Sequence, residues 1–213
     1  MKTDDLIAML GTNVEPVDHR QVARTVRFAI GMGFAAALGS ALLMLGIRTG
    51  LDEVDAWIFL VLKAAFATGI VALSSIYLAR VARPGGEQKA PIIVVTLPFV
   101  VITALAAISL VFAPSSHWNR MFVGDKWLEC LLSIPIIAIV PFAAIMWAVR
   151  RTAPTDLARA GALAGLAAGG VSAAGYALHC TDDSLPFVAL WYGGTIALCT
   201  AAGALLGPRL LRW

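Results

Sequence analysis

The chain has 213 residues, of which 60% are hydrophobic and only 14% charged, with a net charge of +3 and a mean hydropathy of +0.84. A soluble domain carries about 25% charged residues, so these values exclude a water-soluble globular fold and imply an integral membrane protein. Three cysteines are too few and too scattered for a disulfide scaffold.

Residues 1–27 are polar and broken by Gly11 and Pro16, so no cleavable signal peptide is expected. Within them, "TDDLIAMLG" starts as a helix starts. Thr3 can cap it, and Asp4 and Asp5 suit its positive first turn. Leu6, Ile7, Met9 and Leu10 then cluster on one side before Gly11 ends the run. Such a stripe can lie on the membrane surface or dock into a groove on a cytoplasmic partner. Burying three of these side chains gives roughly 5–9 kcal/mol gross. Ordering about eight backbone residues takes back a comparable amount. The stripe alone therefore binds weakly, and a tight complex needs further contacts. Arg20, Arg24 and Arg27 share one face as the chain enters the membrane, where anionic headgroups are their simplest partners.

Six stretches reach the roughly 20 apolar residues needed to cross a hydrocarbon core of about 30 Å. They run from Phe28 to Ile47, Trp57 to Leu78, Pro91 to Ala113, Trp127 to Val149, Leu157 to Leu178 and Pro186 to Leu206. Turn chemistry fills the joints: "RTGLDEVD", "RPGGEQK", "APSSHWNR", "RRTAPTD" and "HCTDDSLP". Only helices and closed barrels satisfy their own backbone in lipid, so the expected fold is all-α, a six-helix transmembrane bundle. With a cytoplasmic N-terminus, twelve lysines and arginines fall inside, and Arg48, Arg120 and Lys126 fall outside. That asymmetry predicts both termini in the cytoplasm. The division is a segment over 1–27 followed by a membrane domain over 28–213. Gly161, Gly165 and Gly169 recur every four positions in the fifth span and predict close helix packing. Pro98, Pro135 and Pro141 are expected to bend the third and fourth helices.

This topology gathers chemistry at the outer ends. His179, Cys180, Asp182 and Asp183 end the fifth helix, and Glu129 and Cys130 begin the fourth. Two thiols with imidazole and carboxylates nearby suit a soft metal ion. The same thiols can instead close a disulfide if their Cα atoms lie within about 7 Å. The spacing matches no metal motif. On pattern alone an interfacial loop with solvated acids and a buried thiol is the simpler reading, since free cysteine packs as a small hydrophobe. Cys199, inside the sixth span, reads as core. Lys63 lies within the second span, where a charge is costly and needs a partner or a wet cavity, unless its stem snorkels outward. Asp55, Glu129 or an ionised Cys130 are the candidate partners, and an ammonium beside a thiol would raise its reactivity.

Three stretches then carry a family likeness: "KTDDLIAMLGTNVEPV", "WLECLLSIPIIAIVPF" and "HCTDDSLPFVALWYG". With the six-span layout, the chain resembles the NrsF family of six-helix inner-membrane anti-sigma factors of proteobacteria. The resemblance implies that the N-terminal segment holds an extracytoplasmic-function sigma factor, for which Asp4, Asp5, Leu6, Ile7 and Leu10 of the helix start and apolar stripe are the candidate contacts. It also implies that Cys130 and Cys180 face the periplasm and take part in sensing heavy metal or oxidative stress. No role passes to Cys199 or Lys63. On this reading the partners are the sigma factor and the lipid bilayer, with no direct contact to nucleic acid. No resident cofactor is expected, a soft metal ion being at most a transient guest of Cys130 and Cys180. The alternative is a small permease for a thiophilic metal, with Cys199 as an inner relay. An enzyme is not expected, because no Ser–His or paired-Asp constellation lies within the spans.

Overall fold

A computed structural model describes residues 3–5, 9, 19–48, 54–82, 92–152 and 154–212. The described residues form helices and their connections, with no strand among them. Six spans among them are long and apolar enough to cross a membrane. Helix α1 is His19–Met44, α2 is Val54–Val81 and α3 is Leu97–Phe112. A short α4, Trp118–Val123, precedes α5, Trp127–Arg150. Helix α6 is Leu157–Tyr176, and α7, Leu185–Leu210, runs through a π turn at Val188–Tyr192.

These bounds agree with the sequence spans, with three differences. Helix α1 begins at His19, so its first turns carry Arg20, Arg24 and Arg27 into the first span without a break. Pro98 does not sit inside α3. It lies in the first turn, where the 3-10 helix Ile92–Thr96 gives way to α-helix. The amide lost to proline is one that a helix start leaves unbonded. The "APSSHWNR" joint, expected as a turn, folds into a 3-10 turn at Ser115–His117 and then α4.

The bundle is built around α6, the least apolar span. Of its apolar window 72% is buried, against 17% for α3, the most apolar. Lipid solvates apolar side chains as well as a protein interior does, so hydrophobicity does not choose the centre. Close backbone approach does. A Cβ at Gly161 would collide with the Gly203 carbonyl, and one at Gly165 with the Cys199 carbonyl. Cys199 is therefore part of the α6–α7 contact, as its reading as core expects. Gly33 of α1 approaches Pro141 of α5, where a Cβ would lie 3.0 Å from the proline ring.

Helix α6 is capped at its start by Asp156, whose carboxylate accepts the Arg159 amide at 2.9 Å. At its other end the chain leaves the helix after Tyr176 and crosses to α7 over residues 177–184. That crossing carries the polar residues singled out in the sequence.

Candidate functional site: two thiols at a charged crossing

The crossing is tied to the end of α1, to α2 and to the α4–α5 region. The Arg48 amide, just past α1, donates to the Leu178 carbonyl at 2.9 Å. The Arg48 guanidinium grips Asp183 with both terminal nitrogens, Nη1 to Oδ1 at 2.9 Å and Nη2 to Oδ2 at 2.6 Å. Such a fork-to-carboxylate pair is among the stronger charge-assisted contacts. Lys63 reaches Asp183 Oδ1 from α2 at 2.8 Å. Arg48 Nη1 at 3.1 Å and Lys63 Nζ at 3.2 Å also donate to the Cys180 carbonyl.

The partner of Lys63 is thus Asp183, together with a backbone carbonyl, and not Asp55, Glu129 or a thiolate. The ammonium has no exposure at all, so the stem does not snorkel to lipid. A buried charge is tolerated only when paired and hydrogen-bonded, which Asp183 and the Cys180 carbonyl achieve together. Burial works against the charge on Asp183. The hydrogen bonds from Arg48 and Lys63 outweigh it and hold this carboxyl below its ordinary range.

Asp182 does a different task. It accepts the backbone amides of Asp125 at 3.1 Å and Lys126 at 2.6 Å, immediately before α5. Lys126, the N-cap residue, supplies no side-chain cap, and its own amide is bound by an aspartate 56 residues away in sequence. Gly124 makes this approach sterically open. Its φ is +61°, and a Cβ there would fall 2.7 Å from the Asp182 carboxylate. Ser184 adds a third tie, donating to the Met121 carbonyl of α4 at 2.7 Å.

One thiol lies in the crossing and the other beside it. Cys130, in the first turn of α5, and Cys180 are both free and both fully buried. Each is within electrostatic reach of the Lys63 ammonium, and Cys130 within reach of Cys180. Burial pushes the Cys180 thiol up, with Lys63 pulling the other way. His179 Nε2 lies 3.6 Å from Glu129 Oε2, and Glu129 also accepts Lys126 Nζ at 2.7 Å. The Tyr176 hydroxyl is buried without a hydrogen-bond partner, while the Tyr192 hydroxyl lies beside the Cys180 thiol, the two tyrosine rings being 6.0 Å apart.

The structure therefore brings Cys130, Cys180, His179, Glu129, Asp182, Asp183 and Lys63 to one end of the bundle. It also divides them. Asp183 belongs to the cations, Asp182 to the α5 start, and Glu129 to Lys126 and His179. Among the described residues no three His, Cys, Asp or Glu side chains converge as a metal site. Arg48 was not singled out, although a lone arginine directly after the first span, on the side poor in positive charge, is the signal that marks it. Of the N-terminal candidates, Asp4 and Asp5 are helical and exposed. Leu6, Ile7 and Leu10 lie outside the described residues.

The family model described as "NrsF: Negative regulator of sigma F" matches residues 10–213. The chain is 35% identical over 213 residues to the "Probable anti-sigma-F factor NrsF" of Azospira oryzae, covering the whole of both chains. It is 32% identical over 220 residues to the "Anti-sigma-F factor NrsF" of Caulobacter vibrioides, again over the whole of both. No solved structure matches.

Proposed function

This chain belongs to the NrsF family of negative regulators of sigma F, and from that we propose that it is an inner-membrane anti-sigma factor with a thiol sensor on its periplasmic side. Residues 1–27 hold an extracytoplasmic-function sigma factor at the cytoplasmic face. A soft metal ion or an oxidant reaching Cys130 and Cys180 loosens that hold. The lysine and arginine asymmetry supports this orientation, with both termini in the cytoplasm.

One observation carries the sensing role. Two cysteines 50 positions apart in sequence are both free, both buried and near enough at one end of the bundle for each to oppose ionisation of the other. They sit on α5 and just past α6, and the Asp182 contact couples those elements directly. A new bond at either sulfur must change how α5 and α6 meet. These are rigid helices, so a shift at one end is felt about 30 Å away at the other. Release needs a difference in sigma affinity of only about 1–3 kcal/mol between two packings.

The donor set favours two-coordinate chemistry, either a disulfide or a metal bridged by two sulfurs, because the acids are engaged elsewhere. A transport route finds less support. Cys199 lies against Gly169 and lines an apolar cleft with Pro135, Ala138 and Phe142, which offer no second donor. The test is a Cys130→Ser/Cys180→Ser strain carrying a reporter for the sigma regulon. Loss of induction by cadmium with repression intact supports the reading, and persisting induction removes it. Deleting residues 1–15 tests the other end: it should leave the regulon permanently on, and a silent regulon places the sigma contact elsewhere.

A further inference from the structure

Both thiols have no exposed surface, so a sensor built on them needs a way in. Cys180 belongs to the crossing at 178–184 and Cys130 begins α5 beside it, so access depends on how the crossing is fastened, and its fastenings are unequal. The Asp182 and Ser184 ties run to the backbone of the α4–α5 region. The Asp183 ties run to two side-chain cations, and those same cations also hold the Cys180 carbonyl. Solvent reaches Asp183, whose side chain keeps 21% of its surface, as it reaches Asp182 and Ser184. Asp183 is a wall, with His117, Arg120, Asp125, Thr181 and Asp182, of a half-polar cavity of about 410 Å³.

We propose that Arg48, Asp183 and Lys63 form a gate over Cys130 and Cys180, and that thiol reagents reach the sulfurs only after Asp183 releases its two cations into the cavity beside it. The gate rests on the sensor reading given above and adds to it what controls access. Closed, two cations face one carboxylate, and the site carries one excess positive charge next to two neutral thiols. Open, the Cys180 carbonyl loses both clamps and water enters. The burial that keeps the Cys180 thiol protonated is then relieved, while Lys63 remains nearby to favour a thiolate. Access and reactivity rise in the same step. Asp183 and Lys63 act here as positioning residues, since neither touches the reagent.

A minor open state populated at about 0.1–10% slows thiol labelling roughly 10- to 1000-fold relative to a free thiol. The experiment follows N-ethylmaleimide labelling of each cysteine by mass spectrometry on the full-length protein in detergent. Asp183→Asn is expected to label at least about tenfold faster at Cys130 and Cys180. Cys199, in the α6–α7 contact, should not change, and Asp183→Glu should recover the slow rate. Lys63→Met keeps Arg48 on Asp183 and leaves no bare buried ammonium. It should therefore fold well and show a smaller acceleration. Unchanged Cys180 labelling in both variants overturns the gate. So does acceleration of Cys199 in step with the other two in both variants, because the triad then only holds the bundle together. Labelling is read without a sigma factor, so failure here leaves the sensor reading intact. Conversely, induction that persists in the double-serine strain leaves the gate untouched.

Discussion

Lys63, two turns inside α2, lies 2.8 Å from Asp183, which sits 120 residues later in the crossing to α7. The pair is not symmetric. Lys63 is wholly buried, whereas the Asp183 side chain keeps 21% of its surface and a second cation, Arg48. Removing the carboxylate strands a buried ammonium, but removing the ammonium leaves a carboxylate still paired.

Stability should follow that asymmetry. Breaking a buried pair by deleting one partner costs about 3–5 kcal/mol when the other is left uncompensated. Asp183→Asn should approach that range, and Lys63→Met should stay near about 1 kcal/mol, the scale of a single net hydrogen bond. The Lys63→Met/Asp183→Asn double variant should regain part of the loss. Thermal melting of the four proteins in one detergent checks this.

Acid should act through the same carboxylate. Its value in the folded protein lies below that of a free aspartate, about 3.9, because Arg48 and Lys63 bond its charged form. The unfolded chain therefore takes up the proton first as pH falls. The stability contributed by Asp183 is complete above the free value and is lost as pH drops through the folded one. Melting temperature should fall below about pH 4, more steeply in the native protein than in Asp183→Asn. Equal slopes would show that another group sets the acid limit.

Most of the architecture was legible from sequence because bilayer thickness fixes helix length, and each of the six apolar runs appears as a span. Lys63 was legible as an oddity, but its partner was not. Asp55 is close along α2, whereas Arg48 and Asp183 meet across 135 residues, and only the antiparallel return of α6 brings them together. The "TDD" acids read as exposed residues or metal donors because composition cannot show that one caps α5 and the other binds two cations. Helix α4 was hidden because six residues beginning at a tryptophan carry no span-length signal.

The packing at α6 offers a sharper contrast. Gly161→Leu and Gly165→Leu push a side chain into the α7 backbone, which cannot yield as a side-chain tip can. Overpacking of this kind costs about 1–3 kcal/mol or more. Gly31→Ala has open space around its Cβ and should be neutral. Yield and melting temperature of the three variants should separate into two lost and one kept.

The Asp182 tie predicts a local effect. Asp182→Ala removes the acceptor for the Asp125 and Lys126 amides and should cost about 0.5–2 kcal/mol, as the loss of a helix cap does. Hydrogen exchange should rise at the first turn of α5 and stay unchanged in α6. A uniform rise would mean that Asp182 holds more than the α5 start.

The central claim is that two sulfurs at one end of the bundle govern the grip on a sigma factor at the other. Its most direct test is retention of the sigma factor on membranes bearing the native chain or Cys130→Ser/Cys180→Ser, washed with and without cadmium. The account predicts that cadmium strips the sigma factor from the native chain and leaves it on the double variant. Equal release from both would contradict it.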